Sequence, residues 1–254
     1  MTERRMHERR DEGVSTLQTS AYGLDPDRAS DPEPPLDALR RRIGGRYPID
    51  PFGLDPQLCD AGAPIIETLV RVRVDGADRL PATGPAVFVM NRGLGVLEPT
   101  ALSIAVRRHA RRRLRIVGTP GLPFVGGFLR RLGSVNASAD DVTACLRAGH
   151  LMAVPLALTW LRSGAGTPPL HLMQAVMGYT VFPVAVIAGG PFGTAIQPWR
   201  IRIGTHIALD GSYVPGDPLG AAELAEAARA AVDGLIAGAD TAPEPAQTAG
   251  LAAG

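Results

Sequence analysis

Apolar and polar positions follow two periods along this chain, and the switches between them mark its elements. "LVRVRVDG" (69–76) alternates residue by residue, which predicts a half-exposed strand. "PAVFVMN" (85–91) is an unbroken apolar run, as expected of a strand covered on both faces. "PTALSIAVRRHARRR" (99–113) reads as a helix, with Pro99 suited to its first turn and arginines suited to its C-terminus. A short strand "LRIVG" (114–118) and a short helix "PFVGGFLRRLG" (123–133), closed by Gly133, come next. "SADDVTACLRAG" (138–149) places Ser138 and Asp141 at capping-box spacing and stops at Gly149. "HLMAVPLA" (150–157) is a strand and "PPLHLMQAVMG" (168–178) a helix. "TVFPVAVIAGG" (180–190) and "WRIRIGTHIAL" (199–209) are strands, and "PLGAAELAEAARAAVDGLIAG" (218–238) is a final amphipathic helix. Alternation of this kind predicts an α/β layered sheet.

The flanks break the pattern. Residues 1–45 are polar and charged and end near "DPDRASDPEPP", so they are expected to be an arm without fixed structure. An Ala/Pro/Gly tail over 238–254 carries the same expectation, leaving 46–237 as one folded domain. No internal repeat is visible.

Composition narrows the chemistry. The 254 residues carry a formal net charge of +1, so no global field points to nucleic acid, and aromatics to stack on bases are few. All 26 basic residues are arginine, which removes Schiff-base and P-loop lysine chemistry. Cys59 and Cys145 make neither a disulfide framework nor a zinc site, and no Asp/His pair stands at metal-ligand spacing. The N-terminus lacks an apolar signal segment. "LMAVPLALTWL" and "TVFPVAVIAGGPFGTAI" fall short of the roughly 20 residues of a membrane span. The expected location is the cytoplasm, peripheral to the inner face of the plasma membrane.

The loop in "VFVMNRGLGVLEPTALSIAV" (87–106) joins a buried strand to a helix start, where α/β proteins often place chemistry. It offers Arg92 and Glu98 and no evident nucleophile. The segments "YPIDPFGLDPQLCD", "VRVRVDGADRLPATGPAVFVMNRGLG", "FLRRLGSVNASADDVTACLRAGHLMAVP", "VFPVAVIAGG" and "WRIRIGTHIALDG", in this order, resemble the PlsC-like glycerolipid acyltransferase family. The likeness is to an actinobacterial-looking branch with a Y-P-x-D-x-x-G-x-D opening, and it covers about 46–237.

The resemblance implies an α/β fold with a mixed central sheet flanked by helices. It also implies transfer of an acyl chain from acyl-CoA or acyl-ACP, as co-substrate and with no other cofactor, to a lysophospholipid or glycerol phosphate. In the family a histidine is the general base and a nearby aspartate orients it. Here Arg92 stands in the histidine position after Asn91, and the nearest following acid is Glu98. The second motif begins at Gly133, with Ala139 where an arginine usually sits. In the third, Pro155 is kept while Leu156 and Ala157 replace glutamate and glycine. The fourth is intact at Phe182, Pro183 and Val184. Asn91, Arg92, Gly133, Pro155, Pro183 and Val184 are thus the implied substrate-binding positions. A guanidinium stays protonated at neutral pH and cannot take a proton from a hydroxyl, although it can hold a phosphate or carboxylate.

The remaining chemistry is sparse. His7 lies in the arm, His109 in a basic run, His150 at a strand start and His206 on a late strand; His171, on a helix beside the third motif, is the best-placed substitute base. There is no G-x-S-x-G elbow, and Ser163 sits in a Gly-rich loop suited to a turn. "RRHARRRLR" (107–115) holds six arginines in nine residues. They read either as a solvated helix end or as a patch for anionic lipid headgroups. The lipid reading takes Arg107, Arg108, Arg111, Arg112 and Arg113, extended by Arg130 and Arg131 beside Phe124, Phe128 and Leu129. Three functions stay open: a transfer-deficient protein binding (lyso)phospholipid or acyl chains, with an active acyltransferase relative as a possible partner; a working acyltransferase with a relocated base; and an interaction scaffold.

Overall fold

The computed structural model describes residues 28–30, 34, 36–37, 40, 43–45, 49–91, 97–118, 125–156, 166–188, 198–209 and 213–240. Within them β1 (Val72–Asp75), β2 (Ala86–Met90), β3 (Leu114–Val117), β4 (Ser134–Val135), β5 (Leu151–Pro155), β6 (Val181–Ile187) and β7 (Trp199–Ile203) form one sheet. Its order is β1-β7-β6-β2-β5-β3-β4. The strands β6, β2, β5, β3 and β4 are mutually parallel, while β7 runs antiparallel to β6 and carries β1 parallel to itself at the edge. The sheet is therefore mixed, and the chain is an α/β protein.

Among the described residues the helices α1 (Pro56–Leu69), α2 (Leu97–Ala110), α3 (Val125–Arg131), α4 (Ala139–Arg147), α5 (Leu170–Val176) and α6 (Pro218–Asp240) flank it. Burial explains the unbroken apolar runs. In β2, Val87 and Val89 pack toward α4, α5 and α6, whereas Ala86, Phe88 and Met90 pack toward α2, so neither face tolerates a polar side chain. Ser138 caps α4 as its spacing predicts, its Oγ accepting from the Asp141 N–H at 3.2 Å.

Helix α1 and the turn before it answer the Y-P-x-D-x-x-G-x-D opening. Asp50 Oδ1 accepts from the N–H groups of Phe52 (2.9 Å) and Leu54 (2.8 Å). Asp55 then caps α1 by accepting from the Leu58 N–H at 2.9 Å. Asp50 Oδ2 pairs with Arg115 of β3, whose guanidinium lies 5.8 Å from the Phe52 ring. The two aspartates of the motif therefore build a turn and a cap that fasten α1 to the sheet.

Four expectations need correction. The arm is not without structure throughout: the Ala29 N–H donates to Arg111 O at 2.9 Å, and Ala29 is buried. Helix α6 runs through Asp240, past the expected start of the tail at 238. Helix α2 ends at Ala110 rather than 113, because Arg111 adopts a left-handed φ of 53° and turns the chain inward. The strand expected over 199–209 stops at Ile203. Its neighbour Pro183 has no N–H to continue the ladder, and only the Gly204-to-Pro183 and Ile207-to-Val181 bonds (2.9 and 2.8 Å) carry the pairing on.

Candidate functional site

The carboxyl ends of β2, β3, β5 and β6 lie on one edge of the sheet, and the resemblance places its motifs there. Arg92 and Ala157 fall outside the described residues. Glu98 is half-buried in the first turn of α2, and its buried Oε2 has no hydrogen-bond partner among the described residues. A carboxylate in that turn is favoured by the helix dipole.

The other motif positions are held by the fold itself. Asn91 continues the sheet where β2 ends: its Nδ2 donates to Val186 O at 2.9 Å, and its Oδ1 accepts from the Val186 N–H at 2.7 Å. Both ends of that carboxamide are committed to β6, so Asn91 aligns the strands and has little left for a substrate. Gly133 has a φ of +100°, and a Cβ there would come within 3.0 Å of Leu54 Cδ1 and 3.2 Å of Leu114 O. It permits close packing rather than contact with a ligand. Pro155 pairs with Met90 at the end of β5, and the Leu156 N–H donates to Met90 O at 2.8 Å. Leu156, in the glutamate position, is buried in the apolar core under α4 to α6. Ala139 opens α4. Val184 is fully buried, while Pro183 borders a groove shared with His206 and α6.

The arginine patch is largely redirected. With α2 ended at Ala110, Arg112 is only 1% exposed and staples two loops, donating to Gly84 O (2.6 Å) and Gly149 O (2.8 Å). Arg113 Nη2 donates to Asp60 Oδ2 at 2.6 Å, and Arg107 Nη1 to Asp60 Oδ1 at 2.5 Å. Arg107, Arg112 and Arg113 therefore face inward and cannot meet a membrane surface. Arg108 reaches Glu67 at the rim (3.5 Å), and Arg111, Arg130 and Arg131 remain exposed.

Between α1, α2, α3 and β3 lies a cavity of about 170 Å³. Its wall is mostly aliphatic, with Ala63 and Ile66 of α1, Ile104 of α2, Leu114 and Ile116 of β3 and Leu132 after α3. Pro99, Ser103 and Arg107 mark its length along α2, about 12 Å at the rise of a helix. One end thus lies at the first turn of α2 and the other at the arginines that hold Asp60. Cys59 also lines it; burial pushes this thiol up to about 12, against the opposing pull of Arg113, so it stays a neutral thiol at physiological pH.

None of the four described histidines lines this cavity. His150 is buried edge-on against Phe52 (5.2 Å between ring centres), at the amino end of β5, a full strand from Pro155. His171 Nε2 lies 3.2 Å from Ala137 O, on the opposite layer. His206 meets Phe182 edge-on at 6.4 Å, and His109 is exposed near the end of α2. The position of His7 is outside the described residues. Asp60 and Glu67 were not marked by the sequence, where they sit in an ordinary amphipathic stretch some forty to fifty positions before their arginines.

No family model matches the chain. An uncharacterized protein of Mycobacterium leprae is 36% identical over 131 residues, covering 46% of this chain and 35% of that protein. An uncharacterized protein of Mycobacterium tuberculosis is 34% identical over 131 residues, covering 46% of this chain and 36% of its own length. The match thus spans about a third of the length of these mycobacterial relatives.

Proposed function

We propose that this chain is a lipid-binding protein on a PlsC-like acyltransferase scaffold that has lost acyl transfer. The aliphatic cavity carries the reading. It runs beneath α2 from that helix's first turn, the turn that follows in sequence the loop where the family keeps its base.

Two further features support it. Arg92 cannot act as a base, and no described histidine lines the cavity to replace it. The helices that wall the cavity also carry exposed apolar and basic side chains. Ile65 and Leu69 of α1 are 58% and 57% exposed, Phe128 of α3 is 55% exposed, and Arg130 and Arg131 stand beside it. That combination suits contact with an anionic membrane surface. Among the described residues no helix is long and apolar enough to cross one.

The test uses the purified chain with lysophosphatidate and acyl-CoA donors of several lengths, beside vesicle binding with and without anionic lipid. Binding to anionic vesicles without turnover is the expected result. Turnover that disappears in Arg92→Ala or Glu98→Ala would overturn the loss of chemistry and point to a rebuilt centre. Absence of both turnover and lipid binding would leave the interaction scaffold.

A further inference from the structure

The end of the cavity away from Pro99 carries a charge cluster that acyl-chain binding does not use. Arg107 and Arg113 share the carboxylate of Asp60. Glu67 lies 3.6 Å from Arg107 Nε through one oxygen and 3.5 Å from Arg108 Nε through the other. Three guanidiniums thus face two carboxylates, an excess of one positive charge. The side chains of Arg113 and Asp60 are only 9% and 6% exposed. The Arg113 Nε–H is buried and has no acceptor among the described residues. A buried charged donor without an acceptor is costly, and the excess positive charge of the cluster favours an anion at this end of the cavity.

We propose that the cavity binds a medium-chain aliphatic carboxylate whose head lies against Arg113 and Arg107 and whose tail runs along α2 toward Pro99. The inference rests on the reading of this cavity as an aliphatic site and adds its polar end. A guanidinium fork matches a carboxylate in geometry as well as charge. Ile66, Ile104 and Leu114 supply the aliphatic wall. The size sets the tail: a dry apolar cavity of about 150 Å³ accepts benzene, so about 170 Å³ takes a tail of roughly six to eight carbons. Glu67 also borders the cavity, but both of its oxygens face arginines.

Calorimetric titration of the full chain with octanoate and with octanol separates tail from head. Octanoate is expected to bind at least about tenfold tighter than octanol, the scale of one charge-assisted hydrogen bond. In Arg113→Met the two should bind within about threefold of each other, and in Ala63→Phe, which fills the cavity, both should be lost. Equal binding of octanoate and octanol to the native chain would overturn the head-group assignment and leave the aliphatic site standing. Binding of neither would overturn the aliphatic site as well, and binding unaltered by Ala63→Phe would place the ligand elsewhere. The head-group comparison is made on the native chain, so it stands even if Arg113→Met does not fold.

Discussion

Beneath α4, α5 and α6 the sheet is closed by apolar side chains. Val142, Cys145 and Leu146 of α4, Leu172, Met173 and Val176 of α5, and Ala221, Ala228 and Val232 of α6 meet Val87, Val89 and Val154 with almost no exposure. Beneath α1 and α2 the sheet is equally apolar at its centre, with Phe88, Met90 and Ile201. Toward β3 that side opens into the cavity and ends in the Asp60 cluster. Under α4 and α5 the first layer is closed, with a groove only where α6 borders Pro183, while the other opens into the cavity and holds α1 and α2 together by ion pairs. A ligand has space in the cavity under α1 and α2 and, on the other side, in the groove between Pro183, His206 and α6.

Three experiments sharpen this contrast, beginning with the largest effect. Asp60→Ala removes the carboxylate shared by Arg107 and Arg113, leaving the buried Arg113 without its acid and Arg107 with Glu67 alone. Urea unfolding should show a loss of about 3–5 kcal/mol. A loss below about 1 kcal/mol would mean that the cluster does not hold α1 to α2.

Next, Leu172→Ala in the closed layer and Ile104→Ala at the cavity wall should be compared. Leu172 should cost about 3–4 kcal/mol, and Ile104 about 2, because part of the Ile104 surface already faces empty space. Equal losses would erase the distinction between the two layers.

The smallest effect concerns Cys59. Its thiol is raised from 9.0 to about 12 by burial, so the folded chain holds a proton that the unfolded chain releases. Below pH 9 this group leaves stability unchanged; between pH 9 and about 12 stability should fall as pH rises, and Cys59→Ala should remove that component. In native buffer at pH 8 a thiol reagent should modify Cys59 far more slowly than it modifies the unfolded chain. Rapid modification would mean that this side of the cavity opens readily.

Much of the fold was legible because the signals were local. The apolar runs of β2, β5 and β6 and the capping residues of α4 lie within single elements, and each element formed where its pattern indicated. The arginine run shows the limit. Six arginines in nine residues look alike in sequence, and nothing local marks Arg111 as the residue that takes a left-handed φ. That single reversal separates Arg108, at the rim, from Arg112 and Arg113, inside. Their partners are remote as well, since Asp60 and Glu67 come from α1. The cavity was invisible for the same reason: its wall is assembled from four elements and has no motif of its own. Asn91 was found, but for another role, because its bonds to Val186 depend on a strand far along the chain.

The sheet order also sets a schedule for synthesis. At the edge of the sheet β1 is hydrogen-bonded to β7, so Val72 waits for Trp199, about 125 positions later, before it has its ladder partner. At a translation rate of about 5–20 residues per second, that is a delay of roughly 6–25 s. β1, the earliest of the seven described strands to leave the ribosome, is thus among the last of them to be paired. For those seconds the growing chain carries an open edge, and a nascent-chain chaperone or a neighbouring copy has its best opportunity to bind there.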